Sequence, residues 1–394
     1  MGRVFNTTGV CIPEKHYMVN INGRLQQIKV LVDEGKYFTI NRARQYGKTT
    51  TLRALAEMLR DEYYVVLLDF QTFDNEKFSN GNVFSVAFAG SFLRVLRRNC
   101  KTMNNEMASV IDEMRKDADY ANRYFSLKEL FEGLSDICEA ADRKIVLMID
   151  EVDSAANNQV FIDFLAQLRA QYLDREFYPG FQSVILAGVY DIKNLKRKLR
   201  PEEGHRYNSP WNIAADFSIE MSFSESEIAG MLQEYEIDHR TGMNIPKMSE
   251  LLYAYTAGYP FLVSRICQLM DERVRDEYEN LKLVWTENGF NEAVRILLAE
   301  KNPLFESLVG KICDYPELSV MLKTLLFTGR NIAYNPDETS IDMAQMFGFI
   351  KNQNGNVVIA NRIFEMRLYN YYLTEAKMQQ TEIYKAALQD KSQF

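Results

Sequence analysis

Along the first half of the chain, apolar residues come in two patterns. Residues 37–40 are a β-favouring run, and Leu52, Leu55 and Leu59 then recur at helical spacing, so a strand, a loop and a helix follow one another. Further continuous apolar runs lie at residues 63–70, 144–149 and 183–189, each short enough to be a strand buried on both faces. Residues 217–223 are expected to add a fifth strand. Between these runs, residues 24–34, 83–100, 103–118 and 159–172 are patterned as helices. Ser126-Leu127-Lys128-Glu129 is a capping box, opening a helix that carries Leu130, Phe131, Leu134 and Ile137 on one side. Strands that alternate with helices favour parallel pairing, so the expected fold class is α/β with a parallel sheet of about five strands.

From Ser224 the pattern becomes helical. Ser224-Glu225-Ser226-Glu227 is a second capping box, followed by Ile228, Met231, Leu232 and Tyr235 at helical spacing. Two more helices are expected to meet at Gly258-Tyr259-Pro260, where glycine and proline enforce a tight turn. Near the C-terminus, Asn354-Gly355 separates two apolar runs, which is a strong hairpin signal. Helices before a hairpin predict a winged helix. The expected domains are a lead-in segment packing on the core (1–35), a core (36–223), a helical lid (224–300), a winged helix (301–375) and a polar tail (376–394).

Chemistry concentrates in the first loop, Arg42-Ala43-Arg44-Gln45-Tyr46-Gly47-Lys48-Thr49-Thr50. Backbone N–H groups held between a strand and a helix N-terminus form an anion site, and Lys48 would complete it as a mobile charge on the outer phosphates of a nucleotide. Thr49 would place its hydroxyl on Mg²⁺. The loop follows the P-loop pattern G-x-x-x-x-G-K-[ST] except that Arg42 stands at the first glycine. The candidate nucleotide-binding residues are Arg44, Gln45, Tyr46, Gly47, Lys48, Thr49 and Thr50. The run at 144–149 ends in Asp150-Glu151, and ligands of open α/β sheets bind at the carboxyl ends of the strands. Asp150 is therefore expected to hold the Mg²⁺ shell and Glu151 to polarise the attacking water. In the lead-in, His16 or Tyr17 either stacks on the nucleotide base or only pins the segment to the core.

Composition narrows the remaining choices. A chain of 394 residues with 47% apolar and 12% aromatic content has material for two or three folded domains. Its five cysteines are far apart and never in C-x-x-C spacing, which favours free thiols in a reducing compartment. No run is long enough for a membrane span and no signal peptide is visible, so a cytoplasmic protein with no membrane partner is expected. A net charge of −8 argues against general adhesion to nucleic acid. Between Leu304 and Leu373 the expected winged helix carries six basic against seven acidic residues, so packing or protein contact is the favoured use for it. One local exception is residues 193–200, with five cations in eight residues. That segment presents Arg197 or Arg200 to a neighbouring subunit's phosphates, touches nucleic acid, or is a solvated helix offset by Glu202 and Glu203.

Taken together, these segments resemble the AAA-like ATPases of the P-loop superfamily, close to the archaeal-type and STAND ATPases. The resemblance is carried by Glu14-Lys15-His16-Tyr17-Met18-Val19, Arg44-Gln45-Tyr46-Gly47-Lys48-Thr49-Thr50, Ile149-Asp150-Glu151-Val152-Asp153, Ser209-Pro210-Trp211-Asn212-Ile213 and Ala257-Gly258-Tyr259-Pro260. It implies ATP and Mg²⁺ as ligands, slow hydrolysis, and a nucleotide-gated change in how lid and winged helix sit on the core. Proteins of this kind tolerate loss of the first loop glycine, so Arg42 bears on turnover more than on binding. The resemblance also implies a γ-phosphate sensor near Gly188-Val189-Tyr190-Asp191, where no residue fits cleanly. The leading expectation is an ATP-driven switch acting on a protein client, with a homo-oligomer open. The alternatives are a nucleotide-gated scaffold without turnover and an ATP-regulated DNA-binding protein.

Overall fold

Two short strands, β1 (Val4–Phe5) and β2 (His16–Tyr17), pair in parallel at the N-terminus. A helix α1 (Asn22–Asp33) and strand β3 (Phe38–Asn41) follow, then α2 (Lys48–Leu59) and β4 (Tyr64–Asp69). Three helices, α3 (Gly81–Asn99), α4 (Asn105–Asp117) and α5 (Leu127–Ala140), lead to β5 (Ile145–Asp150). The alternation closes with α6 (Gln159–Leu173) and β6 (Ser183–Gly188). The computed structural model describes residues 2–99, 103–189, 211–277 and 280–374. The expectations on Tyr190, Asp191, residues 193–200, Ser209, Pro210 and the tail 376–394 lie outside the described residues.

The chain divides into two units. A sheet unit comprises Ile21–Arg42 and the described residues of Lys48–Glu220; a helical unit comprises the described residues of Met1–Asn20, Ala43–Gly47 and Met221–Phe394. In the sheet unit four parallel strands run in the order β3-β6-β5-β4. Every residue of β5 and β6 is buried, as their unbroken apolar runs require of strands covered on both faces. One side is filled by phenylalanines from several elements, among them Phe70, Phe84, Phe88, Phe161 and Phe164. The predicted capping box opens α5, with the Ser126 amide donating to Glu129 Oε2 at 2.9 Å.

The fifth strand does not form. Residue 215 makes a single parallel bridge to Phe38, its amide donating to the Tyr37 carbonyl at 2.8 Å, and no strand covers residues 217–223. Guanidinium groups take the carbonyls that a ladder would use: Arg42 donates to Ile219 O at 2.9 Å and Arg24 to Glu220 O at 2.7 Å. The Phe217 ring instead stacks on Phe38, with centroids 5.8 Å apart.

In the helical unit, helices span Glu225–His239, Ile245–Thr256, Pro260–Glu272, Leu281–Val284, Glu287–Ala299, Pro303–Asp314, Pro316–Phe327 and Thr339–Met346. Four carry proline in their first turn, where the missing N–H costs no helical bond. The hairpin of β7 (Ile350–Gln353) and β8 (Asn356–Ile359) forms as predicted, and Arg362–Thr374 closes the described chain as a helix. Asn354 and Gly355 take φ of 52° and 80°, the left-handed pair a two-residue hairpin turn demands. Gly258 is required for two reasons: its φ is 72°, and a Cβ there would lie 1.9 Å from the Phe223 carbonyl oxygen.

The lead-in divides between the two units. Helix α1 belongs to the sheet unit, whereas β1 and β2 belong to the helical unit. Arg3 pairs with Glu234 and with Asp238, the latter at 2.9 Å, and the Phe5 ring packs against Tyr17, Tyr235 and Trp285. Among the described residues, no helix is long and apolar enough to cross a membrane.

Candidate functional site

The sheet unit brings carboxylates to the ends of its strands beside the start of α2. Lys48 begins that helix, is buried, and donates from Nζ to the Arg42 carbonyl at 2.9 Å. Thr49 Oγ1 donates to Asp150 Oδ2 at 2.6 Å, and the Glu151 amide donates to Asp150 Oδ1 at 2.9 Å. Asp69 ends β4 in register with Asp150. Asp153 accepts from the Val189 amide at 2.6 Å, which ties the turn after β5 to the end of β6. Gly188 permits that approach, because a Cβ there would meet Asp153 Oδ1 at 2.8 Å.

These surroundings shift both acids that the sequence singled out. Burial pushes the Asp150 carboxyl above its ordinary value, opposed by the hydrogen bonds from Thr49 and the Glu151 amide and by the Lys48 charge. Burial also raises Glu151, with Lys48 opposing and Asp150, Asp153 and Asp69 adding to the rise. Glu151 has a left-handed backbone with φ of 53°, a conformation that costs a non-glycine residue roughly 1–2 kcal/mol. Strain at the residue just past a buried strand marks this position as one the fold constrains.

Arg42 at the first glycine position is accommodated without strain. The left-handed residues of the loop are Gln45 and Gly47, with φ of 57° and 79°, and Arg42 is not among them. Its side chain turns to Asn41 O and Ile219 O, both at 2.9 Å, with the guanidinium 5.4 Å from the Phe217 ring centre.

In the helical unit, residues 43–47 are held by side chains from far along the chain. Tyr259 donates its hydroxyl to the Arg44 carbonyl, and its ring meets Tyr46 edge-on at 4.6 Å. Tyr46 hydrogen-bonds Ser222 Oγ at 2.7 Å, and Phe364 packs edge-on against the other side of the cluster, 5.4 Å from the Tyr259 ring. Gly348 lies so close to Ala43 that a Cβ there would be 2.8 Å from the alanine methyl. The Gly258-Tyr259-Pro260 turn is legible in the sequence, but no local signal marks Tyr259 as reaching a residue 215 positions earlier. Asp69 and Asp153 join the site without a motif that singles them out.

Of the two alternatives for His16 and Tyr17, the surroundings of Tyr17 favour pinning. Tyr17 is buried, with Phe5 and Tyr235 each 5.1 Å away and the Arg3 guanidinium 4.7 Å over its ring. Its hydroxyl donates to Asp238 at 2.8 Å. His16 Nδ1 accepts from the Ile12 amide at 2.8 Å and closes a local turn. Tyr17 pins the lead-in within the helical unit, and His16 shapes the lead-in itself.

A family profile described as an AAA-like domain matches residues 10–375. The chain belongs to the AAA-like domain family. Solved structures agree at the level of fold. A Walker-type ATPase of Pyrococcus abyssi superposes with a TM-score of 0.62 at 13% identity, covering 92% of this chain and 99% of that one. The Aeropyrum pernix ORC2 protein, solved with ADPNP and ADP, gives a TM-score of 0.51 at 12% identity, covering 100% of this chain and 98% of that one. No curated protein sequence matches. The AAA-like core with its parallel sheet is thus established by family and by fold.

Proposed function

We propose that this AAA-like protein binds ATP at residues 44–50, hydrolyses it slowly, and uses the nucleotide state as a switch on its C-terminal segments. The observation that carries the reading is the Thr49–Asp150 hydrogen bond, which joins the residue after the loop lysine to the end of the buried β5 strand. Lys48 would release the Arg42 carbonyl and donate to the outer phosphates. Thr49 and Asp150 present hard oxygen donors on one side, a set that suits Mg²⁺, which takes one or two protein oxygens alongside substrate phosphates. When bound, the ion would neutralise phosphate charge. Glu151, raised by burial and held in a strained turn, is the candidate to accept a proton from the attacking water.

Two finer parts of the proposal rest on the helical unit. Residues 224–300 act as a lid, and residues 301–375 are a winged helix, a reading supported by three helices, a hairpin and a final helix in that order. The Tyr259 hydroxyl on the Arg44 carbonyl would let that unit respond to the loop. The partner is proposed to be a protein client, with a homo-oligomer open and a cytoplasmic setting. Nucleic acid is the less favoured partner because acidic residues outnumber basic ones in the C-terminal segment.

Calorimetry with ATP and a steady-state hydrolysis assay test the proposal. Lys48→Ala should abolish the binding at residues 44–50, lowering the stoichiometry of bound ATP by one equivalent, and Glu151→Gln should keep affinity while losing about 10²- to 10⁴-fold in rate. Unchanged stoichiometry and affinity in Lys48→Ala would sink the loop assignment. Turnover in wild type no greater than in Lys48→Ala would give preference to a nucleotide-gated scaffold.

A further inference from the structure

The order β3-β6-β5-β4 places β3 and β4 at opposite edges of the sheet, about 14 Å apart at ordinary strand spacing. Helix α3 packs against β4, and together with α4 it borders a cleft of about 810 Å³. Four cations line it: Lys77 from the turn after β4, Arg94 and Arg97 from α3, and Arg115 from α4. Asp119 is the one carboxylate in the lining. In a chain of net charge −8, a concavity with a surplus of positive charge needs a reason.

Internal pairing does not supply one. Arg97 pairs with Asp112, and the Lys77 ammonium sits 5.6 Å from the Tyr120 ring centre. Arg94 and Arg115 have no ion-pair partner among the described residues. Helix dipoles favour Arg97 and Arg115, which stand in the last turns of their helices, but Arg94 lies earlier in α3 and Lys77 belongs to neither. The floor is low as well. Gly90 lies in the middle of α3, where glycine costs about 1 kcal/mol relative to alanine, yet a Cβ there would meet no heavy atom within 4 Å. Apolar side chains of Val86 and Leu93 flank it, and the half-exposed Tyr120 ring stands in the lining.

We infer that this cleft binds a small phosphorylated molecule with a planar or apolar body, separately from the loop at residues 44–50. Its volume is in the range of small-molecule sites, about 300–1,000 Å³. Guanidinium groups contributed to one cleft by two helices match the clustered oxygens of a phosphate chain, which accept paired N–H donors. Apolar walls and the Tyr120 ring suit the body of the ligand. Four cations gathered in one concavity of this volume fit a compact phosphorylated ligand.

The test uses the full chain carrying Lys48→Ala, so that its outcome does not depend on the loop assignment. Calorimetry with inorganic triphosphate and with ATP should show saturable binding near one equivalent. Adding Arg94→Ala and Arg115→Ala together should weaken it by about tenfold or more, since each removes a charge-assisted donor. Gly90→Leu should abolish it while circular dichroism and melting remain those of the parent, because the helical backbone accepts a side chain there. Absence of saturable binding by both probes would overturn the inference, as would binding unaltered by the arginine and Gly90 substitutions. Cleft-dependent binding of a single-stranded oligonucleotide or an acidic peptide, with neither triphosphate nor ATP bound, would also overturn it.

Discussion

Replacing Tyr259 by phenylalanine removes one oxygen and leaves the ring that packs 4.6 Å from Tyr46 and 5.4 Å from Phe364. The lost interaction is the hydroxyl donated to the Arg44 carbonyl, in the segment that leads into Gly47 and Lys48. Burial pushes the Tyr259 phenol far above its ordinary value, so it remains a protonated donor at neutral pH. A net hydrogen bond of this kind contributes about 1 kcal/mol. For a body of roughly 200 residues that corresponds to a fall in Tm of about 2–4 °C. If the bond also holds the loop in its nucleotide-binding shape, ATP affinity should fall by no more than the same free energy, about fivefold. Paired melting and calorimetric titrations separate the two effects. A lower Tm with unaltered affinity would refute the coupling of Tyr259 to nucleotide binding and leave the hydroxyl a local stabilising role.

Two further outcomes are expected. Asp150 has a folded pKa above its unfolded value, so the folded protein binds this proton more readily; stability rises as pH falls through that interval and is lost as pH rises. Asp150→Asn should therefore melt higher than wild type at neutral pH without nucleotide, with the gap narrowing as pH falls through the ordinary carboxylate range; a variant less stable at neutral pH would contradict the burial argument. Full-length protein should bind duplex DNA no better than micromolar at physiological salt, and nanomolar sequence-specific protection in footprinting would restore the DNA-binding alternative.

What could be read in the sequence was what depends on near neighbours. The β5 run announced itself because six consecutive buried residues leave no polar face, and Asp150 and Glu151 were placed by where that run stops. Both capping boxes and the Asn354-Gly355 turn encode their geometry within four residues. The absent fifth strand shows the limit of that reading. Phe217, Ile219 and Met221 alternate with Ser218 and Glu220 as in a strand, but whether their carbonyls meet a neighbouring ladder or the Arg24 and Arg42 guanidiniums is decided by residues almost two hundred positions away. The choice between the two readings of Tyr17 was open for a related reason: an aromatic residue in a motif says nothing about whether its faces are already covered, and here Phe5, Tyr235 and Arg3 cover them. The Tyr259 interaction with Arg44 has no local signature at all.

The N-terminal strands bear on the order in which the chain can be built. Arg3 must wait for Glu234, made 231 residues later, and Phe5 must wait for Trp285. At ordinary synthesis speeds the first of those delays is about 10–50 s. During that interval β1 and β2 have lost neither their freedom nor their exposed aromatic rings, while most of the sheet unit has already left the ribosome. Strands β1 and β2 are thus made well before the residues that fix them, and a chain stopped before residue 234 would expose the Phe5 and Tyr17 rings that the finished protein buries.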